Sequence, residues 1–194
     1  MKINAFLIVT TLLTAGNLSA QHVNFGIKAG LNVFTIHNET NTNSDPLAGF
    51  HLGILGHIHL DRSIALQPEL LYSVQGAKSS GQNVGLKTEL DYLNLPVLFQ
   101  YMFDNGFRFE AGPQLGLLVG AKSKVNNLST DIKENLESLD AGLLVGLGYI
   151  HPPTGFGIDA RYQFGLTNIN KSENFKSYNR GFQLGVFYQI KHRD

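Results

Sequence analysis

Phe156-Gly157-Ile158-Asp159-Ala160-Arg161-Tyr162-Gln163-Phe164-Gly165-Leu166 decides the fold. The even-numbered positions are Phe, Ile, Ala, Tyr, Phe and Leu, and between them stand glycine, carboxylate, guanidinium and amide. A period of two belongs to a β-strand, whose successive side chains point to opposite faces. One face of this segment is continuously apolar. The other is polar or bare.

The same split recurs in both directions along the chain. Val23, Phe25, Ile27, Ala29, Leu31 and Val33 oppose Asn24, Gly26, Lys28, Gly30 and Asn32. Phe50, Leu52, Ile54, Ile58 and Leu60 oppose His51, Gly53, His57 and His59, and Leu66, Leu70, Tyr72 and Val74 oppose Gln67, Glu69, Ser73 and Gln75. Further runs of this kind begin at Leu93 (with Leu98 and Met102 as exceptions), Phe107, Leu139 and Phe182. About eight segments result, and none carries a charge on its apolar face. A lipid-facing surface requires this, because Arg or Lys at mid-bilayer costs ~2–4 kcal/mol.

The connections alternate in length. Asp61-Arg62-Ser63, Asp104-Asn105-Gly106 and His151-Pro152-Pro153-Thr154-Gly155 are tight turns, the middle one carrying an Asn-Gly hairpin pair. Longer polar loops fall near 37–46, 77–88, 122–137 and 170–179. Three short turns and four long loops predict an all-β fold, an eight-stranded antiparallel up-and-down transmembrane β-barrel with short periplasmic turns and long extracellular loops. Phe25, Phe103, Phe107, Tyr149, Phe156 and Tyr188 lie near the short-turn ends and predict an aromatic girdle at one interface.

Composition agrees. Charged residues make up 15%, against roughly 25% in soluble domains. Lys plus Arg and Asp plus Glu are equal at 15 each, so no basic field exists to hold nucleic acid. Cysteine is absent, which excludes disulfides, thiolate chemistry and a lipoprotein anchor. Residues 1–20 read as a cleaved signal peptide: Lys2 supplies positive charge, an apolar stretch follows, and Leu18-Ser19-Ala20 precedes Gln21. The expected organisation is a signal peptide over 1–20 and a barrel domain over 21–194, located in a bacterial outer membrane.

Several segments resemble the PorT-like outer-membrane β-barrel family of the Bacteroidota. Leu66-Gln67-Pro68-Glu69-Leu70-Leu71-Tyr72-Ser73 resembles its third strand and Tyr92-Leu93-Asn94-Leu95-Pro96-Val97-Leu98 its fourth. Ala111-Gly112-Pro113-Gln114-Leu115-Gly116 is similar to the fifth, Gly146-Leu147-Gly148-Tyr149 to the sixth and the run from Arg161 to Ile169 to the seventh. The resemblance implies an eight-stranded outer-membrane barrel. The family's namesake takes part in protein secretion, a role most relatives do not share. Such barrels often end in an aromatic residue, whereas here Phe187-Tyr188-Gln189-Ile190 is followed by the charged Lys191-His192-Arg193-Asp194.

The inward face offers Lys28, Glu69, Arg108, Glu110, Asp140, Asp159 and Arg161, three positive and four negative. An eight-stranded barrel has room inside for little more than side chains. Buried charges must be paired, so these seven read as a lumen-lining polar network, either a rigid plug or a selective path for small solutes. His51, His57 and His59 share that face, but no carboxylate stands at a telling spacing beside them, so neither a metal nor a cofactor is expected. Ser73, Ser138 and the histidines are the candidates for a lipid-cleaving Ser-His pair, yet no G-x-S-x-G motif is present and no enzyme is expected. Recognition would reside in the loops, of which 122–137 is the longest and unsuited to a packed core. The reading is a non-enzymatic outer-membrane barrel in contact with lipid, with a structural, surface-interaction or secretion-associated role. Partners would be surface or secretion-complex proteins engaged through the long loops. The alternatives are a narrow channel for small polar solutes or ions, and a soluble periplasmic lipocalin-like barrel whose apolar faces point inward.

Overall fold

In the bilayer interior no water can satisfy a free backbone group, so a chain of short alternating segments must close its hydrogen-bond ladder on itself. The computed structural model describes residues 23–38, 44–79, 86–125, 128–172 and 176–190, and shows that closure. The expected signal peptide and the charged tail at 191–194 lie outside the described residues. Nine strands are described: β1 (Val23–Asn38), β2 (Asp45–His59), β3 (Ile64–Ser79), β4 (Leu86–Met102), β5 (Phe107–Val125), β6 (Leu128–Asp131), β7 (Leu139–Ile150), β8 (Phe156–Gly165) and β9 (Ser177–Ile190). All pairings are antiparallel and follow chain order, except that the short β6 flanks only the far end of β5 and β7 takes its place in the barrel. First and last strands pair from Phe25↔Ile190 to Asn38↔Ser177, which closes eight strands into a barrel.

The two faces point as their chemistry requires. Leu31, Leu184 and Ile158 are 67%, 62% and 58% exposed, while Lys28 and Arg161 are buried. Most apolar side chains of the belt therefore look outward to lipid and the polar ones inward, with Leu55, Leu71, Leu98, Leu144 and Phe187 buried on the inward side. A lipocalin-like binding barrel needs the reverse orientation, and that alternative is corrected here. The expected girdle forms: Phe107 stacks on Tyr149 at 5.1 Å between ring centroids, and Phe156 on Tyr188 at 4.7 Å.

The three short connections lie where the sequence puts them. In the turn between β4 and β5, Phe103 N–H donates to Phe107 O at 2.8 Å and Gly106 adopts φ 91°, a left-handed value that glycine alone takes without strain.

At the opposite end the strands run further than the apolar pattern indicates. β3 reaches Ser79, β4 begins at Leu86 and β5 continues to Val125, all inside the segments expected to be loops. The reason is that polarity inverts there. Leu90 and Ala121 face inward and are buried, while Lys87, Glu89 and Lys124 face outward and are half-buried, the polarity of a sheet in water. A register shift between Asp91 and Tyr92 marks the changeover.

The wall makes a quantitative prediction. Leu184→Arg, in the middle of the outward face, should lower stability in lipid vesicles by ~2–4 kcal/mol, measured by denaturant titration of refolding. A surface leucine in water would change by no more than about 0.5 kcal/mol, and a value that small would exclude a lipid-facing wall.

Candidate functional site

The inward long side chains fit because glycines stand across from them. Arg161 on β8 is opposite Gly146 on β7, where a Cβ would sit 2.8 Å from Arg161 Cγ. Gly185 on β9 likewise leaves space for Lys28, and Gly148 on β7 for Arg108. An alternation of glycine with long polar residues lets charged groups cross a lumen that is otherwise full.

Six of the seven expected lumen residues meet in one network. Arg161 donates to Glu69 through Nη1 at 2.7 Å and Nη2 at 2.8 Å, a bidentate pair, and also pairs with Glu110 through Nε. β8 and β3 lie four places apart around the eight-stranded ring, so the Arg161–Glu69 pair braces the lumen across its diameter. Lys28 Nζ lies 2.7 Å from Asp159 Oδ2 and 3.8 Å from Glu69 Oε2. Arg108 Nη1 donates to Gln100 Oε1 at 3.1 Å, and Gln100 Nε2 donates to Glu110 Oε2 at 2.9 Å, so Arg108 joins through an amide. The Arg108 guanidinium also sits 5.2 Å from the centre of the Phe187 ring.

Asp140 stands apart. Its carboxylate accepts from Thr167 Oγ1 at 2.7 Å and from Asn179 Nδ2 at 2.9 Å, both neutral donors.

Neutral groups also line the lumen, a set invisible to a search for charges. Asn32 Nδ2 donates to Ser73 Oγ at 3.0 Å, and Asn32 Oδ1 lies 2.7 Å from His51 Nδ1. Ser73 is directly opposite His51 but accepts from Asn32 and from Gln75 Nε2, and all four side chains are buried. The serine hydroxyl is thus buried and engaged by two amides, with no hydrogen bond to His51. His57 lies 3.3 Å from Gln67 Oε1, and its ring is 4.5 Å from that of His59, which is exposed at the short-turn mouth rather than lining the lumen. Among the described residues no three His, Asp, Glu or Cys side chains are grouped to hold a metal.

The long-loop end is closed by apolar side chains. Leu90, Tyr92, Leu118, Ala121, Leu136 and Ile169 form one buried cluster, with Ile36 and Ile132 packed against it. Leu136 and Ile132 come from the stretch expected to be an unpacked loop, which corrects that expectation. A single turn of 3₁₀ helix at Lys133–Asn135 and the bridge Leu136↔Asn170 fold this loop over the mouth. Glu137 N–H donates to Ile169 O at 2.8 Å, tying the loops after β6 and β8 together. Short spacing between hydrophobic residues in a polar loop was the available signal. On the outer wall, Ala29 and Ala160 contribute to an apolar groove of about 930 Å³, which lies on the lipid-facing side.

The family model of the outer membrane protein β-barrel domain matches residues 19–171. The chain belongs to that family. Among solved structures, Neisserial surface protein A is similar at 14% identity, TM-score 0.59, with 87% of this chain and 99% of that chain covered. Ail, the attachment invasion locus protein of Yersinia pestis, is similar in its complex with the heparin analogue sucrose octasulfate, at 16% identity and TM-score 0.52, covering 87% and 99%. At these identities the likeness is one of fold. Comparison with curated proteins gives no match.

The network sets a mutational contrast. Arg161→Met leaves Glu69 and Glu110 buried without their guanidinium and should cost about 3–5 kcal/mol. The triple variant Arg161→Met, Glu69→Gln, Glu110→Gln should recover most of that loss. Guanidinium unfolding of the micelle-embedded barrel measures both, and equal stability of parent and single variant would show that the network does not bear on the fold.

Proposed function

We propose that this member of the outer membrane protein β-barrel domain family is a non-catalytic outer-membrane protein that acts through its exterior, as a surface-interaction or secretion-associated component. The observation that carries the reading is the Arg161–Glu69 brace across the lumen, beneath an apolar cluster that closes the long-loop end. A path for solutes would have to break a bidentate buried ion pair and part that cluster. What remains available to a partner is the sheet that continues past the lipid-facing belt. There Lys78, Lys87 and Lys124 stand directly opposite one another on β3, β4 and β5, and Leu128 on β6 is 75% exposed. Glu89 pairs with both Lys87 and Lys124, giving this rim mixed charge. Ail is in complex with a heparin analogue, sucrose octasulfate, and the lysines of this chain's rim are where a ligand of that class would bind here.

Planar-bilayer recording separates this reading from a channel. The purified barrel should give no unitary conductance steps at neutral pH. Reproducible ion-selective steps that increase in Glu69→Ala would overturn the proposal in favour of transport.

A further inference from the structure

The lumen's charges do not balance once each is assigned its partner. Lys28, Arg108 and Arg161 are accounted for by Asp159, Glu69 and Glu110, directly or through Gln100. Asp140 is left over. It is 5% exposed, and among the described residues no Lys, Arg or His makes an ion pair with it. A buried carboxylate held only by neutral donors is costly, and proteins ordinarily meet that cost with a cation, a bound metal or a proton.

Its surroundings favour a bound cation. Asn179, 0% exposed, gives its Nδ2 to Asp140 and leaves its own Oδ1 buried with no partner. Gln114 Oε1 is likewise buried and unpartnered, and Gln114 stands opposite Gly142, the next inward position after Asp140 on β7. Gln163 Oε1 is a third such oxygen, and Gln163 stands opposite Gly181, the next inward position after Asn179 on β9. The Tyr92 hydroxyl lies 3.3 Å from Asn179 Nδ2. Directly across from Asp140 is Gly116, and the space a side chain would take there is filled by Asn94 Oδ1 and the Tyr92 ring, which brings one more amide oxygen to this level of the lumen. One carboxylate with amide and hydroxyl oxygens, and no thiolate, is the donor set of a hard cation.

We propose that Asp140, with Asn179 and the amide oxygens of Gln114 and Gln163, binds a hard, oxygen-coordinated cation of the sodium, potassium or calcium class inside the barrel, beneath the apolar cap. The ion neutralises the excess carboxylate and satisfies the unpartnered oxygens at once. It is taken up as the barrel folds, because the cluster around Leu136 and Ile169 covers the site afterwards.

The test uses the full barrel refolded into detergent micelles in sodium, potassium, calcium or choline chloride at matched ionic strength. The unfolding midpoint should be higher in at least one metal salt than in choline. In Asp140→Asn that dependence should vanish while the barrel stays folded in all four salts. Equal midpoints for the parent in all four salts, or a metal-dependent rise that persists in Asp140→Asn, overturns the proposal and leaves a proton on the carboxyl. Crystals of the unmodified protein refolded with thallium(I) supply a readout that needs no variant. An anomalous peak in contact with the Asp140 carboxylate is expected, and a lumen without one refutes the site.

Discussion

Every feature of this molecule depends on the backbone hydrogen bonds that must be closed where no water can close them. Eight strands satisfy that demand by pairing around a ring, and the pairing of β1 with β9 leaves no edge at bilayer depth. Once the ring is closed, each strand has one face to lipid and one to a lumen barely wider than its side chains. The outward face needs only to be apolar and uncharged. The inward face must satisfy itself, since polar groups there have little bulk water to turn to.

That second requirement explains the unusual use of glycine and long polar residues. Arg161 reaches Glu69 on the far wall because Gly146 beside it has no side chain to obstruct it. Lys28 reaches Asp159 past Gly185 in the same way. Side-chain length on one strand is matched by absence on the next, which is packing complementarity built from charged groups instead of methyls. Toward the long-loop end the complementarity becomes apolar, with Leu118 and Tyr92 meeting Leu136 and Ile169 from the capping loops.

The outer wall and the short turns were legible in the sequence because they obey one rule with few exceptions, Leu98 among them. From Phe156 to Leu166, apolar residues alternate with polar ones, and the Asn105-Gly106 pair announces its turn. The seven charged lumen residues followed from the same parity. What parity could not give was who meets whom: Arg161 and Glu69 are 92 residues apart in the chain and meet only because the ring closes. The strand extensions were missed because Lys87 and Lys124 face out while Leu90 faces in, so a search for apolar-out alternation stops at the water line. Leu136 was missed because it follows Ile132 at a spacing of four in a polar stretch, which a search for alternation does not register.

The ionic belt also settles which face is which. Alternation by itself is ambiguous to a slip of one residue, which would exchange the two faces of a strand along its whole length. Slipping β8 by one position would put Asp159 and Arg161 in lipid and strip Glu69 and Glu110 of their partner. Both losses are large, whereas a strand with only neutral residues inside would lose far less. The buried pairs need contribute nothing to net stability, since their desolvation offsets much of their attraction. Their effect is on the difference between the correct register and its neighbours. That difference is largest for β8, whose Arg161 and Asp159 touch partners on β1, β3 and β5, and so fixes the register of the strands around it.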